Sequence, residues 1–224
     1  MKSQWCIAKG EDAAFVAAME DILDLYCLAY DERCPVICMD EKPYQLLDEV
    51  REPVPMEPGK PLKIDSEYIR KGTCSIFVFT EPLVGWAHGH ARERRTKIDW
   101  AQEIRWLLEE KHPNVPKIRL VVDNLNTHVI SSLYEAFPAS KARALAKRLE
   151  LHYTPIHGSW LNVAEIQISV LARQCLCRRI PELPILNSEL SAWNSLHSIS
   201  PKPVYWQFST DHARTKLKYL YPKF

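Results

Sequence analysis

The feature that most constrains this chain is a short apolar run that ends abruptly in polar side chains. Residues Ile118 to Val122 are mostly β-branched or aliphatic, which is typical of a strand buried on both faces of a sheet. Asp123 follows at once. In open α/β sheets functional groups gather beyond the carboxyl ends of the strands, so Asp123 is a candidate for chemistry. An aspartate that caps a helix or closes a turn gives the same pattern, and the run alone favours that structural role.

A second apolar run, Val36 to Met39, also leads into acid, at Asp40 and Glu41. We expect the strand to end there, as the first one ends at Asp123. Because side chains alternate along a strand, only one of the two neighbouring acids can face a site shared with Asp123. Periodicity does not choose between them.

The segments between and around these strands predict an α/β arrangement. An antiparallel hairpin followed by a helical crossover makes the two acid-tipped strands parallel neighbours. The predicted elements are a helix over 11–30, hairpin strands over 74–80 and 83–90, a helix over 97–112, short helices over 131–137 and 140–150, and a strand over 151–154.

A third acid, Glu165, lies near the start of the apolar stretch Leu161 to Arg178, which predicts a long buried helix. Asn162 precedes it at the spacing of a capping box, and this offers a structural explanation for the glutamate. Burial of an unpaired carboxylate is costly without a cation or several donors. That cost favours a functional Glu165 over a capping one.

Charge and glycine content narrow the function classes. The net charge is +1, but residues 1–60 carry 6 basic and 13 acidic side chains, whereas residues 61–224 carry 23 and 15. This asymmetry permits a polyanionic partner for the larger part. With only 6 glycines and no G-x-G-x-x-G or P-loop motif, nucleotide-cofactor folds are disfavoured.

Cysteine spacing and hydropathy predict a soluble, cytoplasmic protein with no membrane partner. The 7 cysteines match neither a zinc site nor a disulfide framework, which suits a reducing compartment. We see no apolar stretch long enough to cross a bilayer, and residues 1–10 lack the apolar core of a secretion signal.

Five sequence motifs, in this order along the chain, resemble those of the DDE transposases of bacterial insertion sequences. The resemblance is specifically to the catalytic domain of the mariner-related group numbered six-thirty. The resemblance runs from Trp5 to Pro222. The motifs that carry it span Val36 to Pro43, Arg94 to Ala101, Leu120 to His128, Tyr134 to Pro138 and His152 to Glu165.

The resemblance implies a ribonuclease H-like fold, a mixed five-stranded sheet flanked by helices. It also implies that Asp40, Asp123 and Glu165 are the catalytic acids and the metal ligands, and it favours Asp40 over Glu41. Carboxylates suit two Mg²⁺ or Mn²⁺ ions, which would promote cleavage and joining of DNA phosphodiesters. Residues that could support these acids or face DNA are Glu41, Asn126, His128 and Asn162.

The basic run after the hairpin is a candidate for contacts with the DNA backbone, although a solvated loop explains it equally well. Its members are Arg92, Arg94, Arg95 and Lys97. The expected domains are an N-terminal helical extension over 1–33, the catalytic core over 34–180, and a C-terminal helical extension over 181–224 packed on the core.

The expected partners are double-stranded DNA, as element ends and target, and a second copy of the chain in a homodimer on DNA. Members of the group usually carry an N-terminal helix-turn-helix region, whereas this chain begins just before the catalytic part. A separate helix-turn-helix polypeptide is therefore a further expected partner. Two other functions stay open: a non-catalytic remnant that binds DNA or full-length transposase, and a structure-selective nuclease on the same fold.

Overall fold

Five strands form one mixed sheet at the centre of the protein, seen in a computed structural model that describes residues 10–223. The strand order is β3-β2-β1-β4-β5. β1 pairs with β2 and β2 with β3 in antiparallel fashion, whereas β1, β4 and β5 run parallel. The strands are β1 Val36–Glu49, β2 Tyr68–Glu81, β3 Trp86–Arg92, β4 Ile118–Val122 and β5 Leu149–Tyr153. The predicted five-stranded mixed sheet is confirmed.

The first strand is longer than predicted, because it does not end at Asp40. β1 continues to Glu49, and its second half pairs only with β2, since its pairing with β4 stops at Cys38. Pro43 sits in this second half opposite Ser75. A proline, which lacks an N–H donor, is tolerated where one side of the strand has no neighbour. Asp40 therefore lies within a strand, next to the point where β4 has ended.

Seven α-helices surround the sheet in the described part of the chain. They are α1 Ala13–Tyr26, α2 Lys97–Trp106, α3 Ser131–Ala136, α4 Ala139–Lys147, α5 Ala164–Gln174, α6 Leu183–Ile199 and α7 Thr210–Lys216. One turn of π-helix, Leu107–Lys111, extends α2. The first helix is shorter than the predicted 11–30, and α5 is shorter than the predicted 161–178.

The alternation of β1 divides the core between the two faces of the sheet. Ile37 and Met39 pack in one buried cluster with residues of α2, α3 and α4, such as Trp100. Cys38 packs on the opposite face with α1, the start of α5 and α7. Farther along that second face, α6 and the rest of α5 cover β2 and β3.

The C-terminal residues attach to the core through the edge strand β3. Asn194 of α6 both accepts a hydrogen bond from the Gly89 N–H, at 2.8 Å, and donates one to the Gly89 carbonyl, at 3.0 Å. Asn187 contacts Ala91 in the same way. These amides pair with backbone groups that an exposed edge would leave free for other chains. Of the predicted N-terminal extension, residues 1–9 lie outside the described residues.

Two further observations bear on the sequence predictions. Along residues 10–223, no helix has both the length and the apolar character that crossing a bilayer requires. The six cysteines in this part of the chain are free thiols.

Candidate active site

Asp40, Asp123 and Glu165 come from three separate elements that lie near one another. Asp40 lies in β1, Asp123 follows β4, and Glu165 is in the first turn of α5. The carboxylates of Glu165 and Asp123 are both close enough to Asp40 to raise its pKa. The fold therefore gathers the negative charges of three acids that are distant in sequence.

Asn162 connects the strand of Asp40 to the helix of Glu165. Its side-chain amide donates a 2.8 Å hydrogen bond to the Met39 carbonyl and lies 3.5 Å from Asp40 Oδ2. Its Oδ1 accepts a 3.1 Å hydrogen bond from the Ala164 N–H. Asn162 is buried, so these bonds are made away from water. The residue holds the start of α5 against β1.

Glu165 does not form the capping box that its spacing allows. The residue at the N-cap of α5 is Val163, which makes no side-chain capping bond, and the Glu165 side chain is exposed. The prediction of a long buried helix around Glu165 is wrong, because one side of α5 faces solvent. The cost of burying a carboxylate applies to Asp40 instead.

The pKa of the Asp40 carboxyl is raised to about 7, and burial is the largest cause. The charges of Glu165, Asp123 and Glu41 contribute to this rise, while the Glu41 N–H, 2.7 Å from Asp40 Oδ1, opposes it. Like charges and desolvation both disfavour the ionised form. Across residues 10–223, neither Asp40 nor Glu165 has a basic side chain as a partner.

Glu41 leaves β1 on the opposite face and meets His128. The imidazole of His128 is fully buried, with Nε2 3.1 Å from Glu41 Oε1 and Nδ1 2.5 Å from Asp123 Oδ1. Burial alone would lower the pKa of His128, but the two carboxylates raise it to about 9. With both ring nitrogens against carboxylates, the imidazole carries two protons and a positive charge. Glu41 and Asp123 are thus joined through His128.

The carboxylate groups at this site are of the chemical type that binds divalent metal ions. Asp40 and Glu165 offer carboxylate oxygens that no cation neutralises in the described part, and hard cations such as Mg²⁺ prefer such oxygens. The side chains do not yet form a finished cage, because residues 10–223 contain no group of three His, Cys, Asp or Glu placed to hold an ion. Asp123 instead contacts His128.

In the basic run, some side chains form ion pairs with nearby acids, whereas others are exposed to solvent. The Arg92 Nε donates to Glu103, a buried acid that also contacts His90, and Lys97 Nζ lies 2.6 Å from Glu135. Arg94 is exposed, and it forms no ion pair with any described residue. Arg95 is half exposed, 3.9 Å from Glu41 Oε2. Of the predicted DNA contacts, Arg94 and Arg95 are the accessible ones.

Asn126 is exposed, without a hydrogen bond to any residue in the range 10–223. It lies in the loop between Asp123 and His128 but takes no part in their contact. The pairing of Glu41 with His128 was missed by sequence reasoning. Sequence gave both residues as supporting candidates, but no pattern links positions 87 residues apart.

Comparison with known proteins places this geometry in a family. The sequence model described as "DDE superfamily endonuclease" matches residues 35–186. That range begins just before β1 and includes all three acids. A search of the curated proteins gives no significant match.

Solved structures share the fold at low sequence identity. The crystal structure of the Mos1 mariner paired end complex with Mn has a TM-score of 0.57 and 14% identity, and the match covers 88% of this chain and 59% of that one. The Mos1 strand transfer complex gives 0.56 and 14%, over 87% and 58%. The mariner Mos1 paired end complex with Mg gives 0.57 and 14%, over 100% and 67%.

This likeness confirms the predicted ribonuclease H-like fold. The chain spans 59% and 58% of the first two solved chains. Because the family model matches more than half of the sequence, and does so across the strands and the helix that carry the acids, the chain belongs to the DDE superfamily endonuclease family.

Proposed function

We propose that this chain is the catalytic domain of a transposase of the mariner-related group six-thirty, which cleaves and joins DNA at the ends of an insertion element. The observation that supports the proposal is that Asp123 and Glu165, which are distant in sequence, both lie near enough to the buried Asp40 to raise its pKa. Three close carboxylates oppose one another unless a cation binds among them. The family membership agrees with this chemistry.

In this proposal Asp40, Asp123 and Glu165 would hold two Mg²⁺ or Mn²⁺ ions through their carboxylate oxygens. Two bound divalent ions supply charge stabilisation at the attacking and leaving oxygens of the phosphate. The matched structures of Mos1 mariner include complexes with Mn and with Mg, which supports this choice of metal for the present chain.

The protein's own groups prepare the acids for this role. Asp40 must lose its proton to act as a ligand, and with a pKa of about 7 it holds that proton over part of the population at neutral pH. Asn162 fixes the separation between β1 and α5, while His128 keeps the Asp123 carboxylate oriented. The attacking group is water for cleavage and a 3′ hydroxyl for strand transfer.

The proposed partner is double-stranded DNA, bound by a homodimer, with recognition of the element ends supplied by a separate helix-turn-helix polypeptide. The paired end complexes named for Mos1 mariner support a dimer that holds two DNA ends. Arg94 and Arg95 are proposed contacts with the DNA backbone. A cytoplasmic location and a boundary of the core at residues 34–180 complete the proposal.

The test is Mn²⁺-dependent nicking of DNA that carries the element ends, with the Asp123→Asn variant beside the native chain. We expect nicking by the native protein and its loss in the variant, because one ligand oxygen is removed. Equal nicking by both proteins would contradict the assignment of Asp123. Nicking of branched DNA that lacks element ends would favour a structure-selective nuclease, and DNA binding without any nicking would favour a non-catalytic remnant.

A further inference from the structure

A groove between α5 and α6 lies on the same face of the sheet as Asp40. It encloses about 830 Å³, within the range of roughly 300–1,000 Å³ that is typical of ligand sites. Apolar side chains, including Ile166, Val170 and Leu196, form much of its wall. The groove can take a short piece of one extended strand but is far too small for a duplex.

Gln167 lines this groove, and its side-chain oxygen has no hydrogen-bond partner among residues 10–223. The residue is only 5% exposed, and its Oε1 is buried without a hydrogen bond to any described group. Buried polar groups in native proteins are nearly always paired, so each exception needs an explanation. A ligand with its own donors and acceptors would satisfy the amide.

Two cations at the groove are also available. Arg173 and Lys202 form no ion pair with an acid in residues 10–223, whereas Arg178, on the same wall, pairs with Glu189. The groove therefore has an excess of positive charge. Unpaired arginine and lysine beside a narrow groove are complementary to the phosphates of a nucleic-acid strand.

An aromatic surface accompanies these cations. The ring of His197 lies 3.9 Å from the ring of Trp193, at an angle of 34°. Trp193 is buried, and the partly exposed ring of His197 packs against it. Nucleobases stack on such rings without regard to their sequence.

The groove lies next to the candidate active site along α5, because Ile166, the neighbour of Glu165, is one of its lining residues. Glu165, Ile166, Ser169 and Arg173 are all exposed on this helix. Arg173 follows Glu165 by eight positions, which corresponds to about 12 Å along the helix axis. A strand that leaves the acids therefore meets Arg173 within a few nucleotides.

We propose that this groove binds the single-stranded DNA adjacent to the phosphate that the three acids address. Arg173 and Lys202 contact phosphates, Gln167 hydrogen-bonds a base, and His197 stacks on one. The inference rests on the proposed function, because it takes DNA as the substrate.

The experiment measures binding by fluorescence anisotropy without divalent metal, using the full chain. The probes are a labelled duplex with a single-stranded overhang and the same duplex with blunt ends. We expect the native protein to prefer the overhang by about tenfold, since stacking of one base contributes roughly 1–3 kcal/mol. The double variant Arg173→Gln/Lys202→Gln should lose this preference while binding the blunt duplex as before.

Salt dependence sharpens the test. Loss of two single-strand phosphate contacts lowers the slope of log affinity against log salt by about 1.4 for the overhang probe. The matched control is Arg143→Gln, which changes an exposed arginine on α4, at the other face of the sheet, that forms no ion pair with any residue in 10–223. The control should keep both the preference and the slope, and circular dichroism verifies folding of each variant.

Equal affinity of the native protein for the two probes would overturn the proposal, as would the same loss in the Arg143→Gln control. Nicking assays on the native protein, run beside the binding assay, separate this inference from the proposed catalytic activity. If the overhang preference persists while the native protein fails to nick DNA, the groove stands and the proposed activity falls. If the native protein nicks DNA but shows no preference for the overhang, the proposed activity stands and the role of the groove is contradicted.

Discussion

Asp40 and Glu41 are neighbours on one strand, yet their surroundings differ in a way that separates two kinds of buried acid. On the face covered by α5, Asp40 has two carboxylates nearby and no cation among the described residues. On the face covered by α2, Glu41 pairs with a charged and fully buried histidine. The first arrangement lacks a counter-charge, whereas in the second His128 supplies one.

The comparison teaches that burial of an acid does not by itself identify a metal ligand. Glu103 is another buried acid, but His90 and Arg92 neutralise it. The distinguishing property of Asp40 is the imbalance of charge around it. The following predictions test whether this imbalance separates the two faces.

The largest expected effect is on cleavage. Asp40→Asn should lower the Mn²⁺-dependent rate by about 1,000-fold, which is the scale for removing a group that stabilises the transition state electrostatically. Glu41→Gln should cost only about 10- to 100-fold, as expected for a residue that orients a ligand. Single-turnover nicking rates on one DNA substrate measure both. Equal losses would erase the distinction between the two faces.

The next effect is on folding stability. His128→Ala should lower the free energy of unfolding by about 3–5 kcal/mol, because it leaves the Glu41 carboxylate buried without its cation. Asp40→Asn is the comparison variant, and it should be at least as stable as the native protein at pH 8. Urea unfolding of the three proteins measures the difference. A His128→Ala protein of native stability would show that the Glu41–His128 pair contributes nothing.

The pH dependence of stability should differ between the faces. The pKa of Asp40 rises from 3.8 to about 7 on folding, so the folded state holds this proton more tightly and stability falls as pH rises from about 4 to 7. The pKa of His128 rises from 6.5 to about 9, so its contribution is complete below pH 6.5 and lost by about pH 9. Each shift corresponds to a few kcal/mol at most.

Urea midpoints across the pH range resolve these two slopes. Asp40→Asn should remove the slope between pH 4 and 7 and leave the slope between pH 6.5 and 9. Glu41→Gln should weaken the second, since His128 loses one of its carboxylates. If Asp40→Asn changes neither slope, then Asp40 does not carry an unbalanced charge.

The smallest effect concerns added metal. Mn²⁺ at ten times its dissociation constant should stabilise the native fold by about 1.4 kcal/mol, which raises Tm by a few degrees in a protein of this size. Asp40→Asn should abolish this shift, while Glu41→Gln should retain most of it. Differential scanning fluorimetry with and without Mn²⁺ measures the shifts. A full shift in Asp40→Asn would exclude Asp40 as a ligand.

Sequence patterns predicted the centre of the sheet well because β4 and the first residues of β1 are strongly apolar. The runs beginning at Val36 and Ile118 correspond to β1 and β4, and they pair in parallel as expected from the intervening hairpin and helix. The predicted end of β1, at Asp40 and Glu41, was wrong, because the strand continues to Glu49. A strand with a neighbour on only one side tolerates proline and polar residues. The change from apolar to polar residues before Pro43 therefore does not end β1.

The candidate site was predictable only in part. Periodicity did not decide whether Asp40 or Glu41 faces the site, and the choice of Asp40 came from the family resemblance. The apolar composition of α5 predicted full burial, but Ile166 is 44% exposed beside the groove. Contacts such as Glu41 with His128 depend on which loops meet in space. Alternation within one strand gives the direction of each side chain but not its distant partner.

The hydrogen bonds of Asn162 make the spacing of two acids independent of most of the chain between them. Its bond to Met39 spans 123 residues in sequence, and its bond from Ala164 joins that contact to the start of α5. Loops in that interval, such as the proline-rich segment between β1 and β2, can therefore lengthen or shorten without moving Asp40 relative to Glu165. Divergence among relatives should accumulate as insertions there, whereas exchange of one buried amide would separate the strand from the helix.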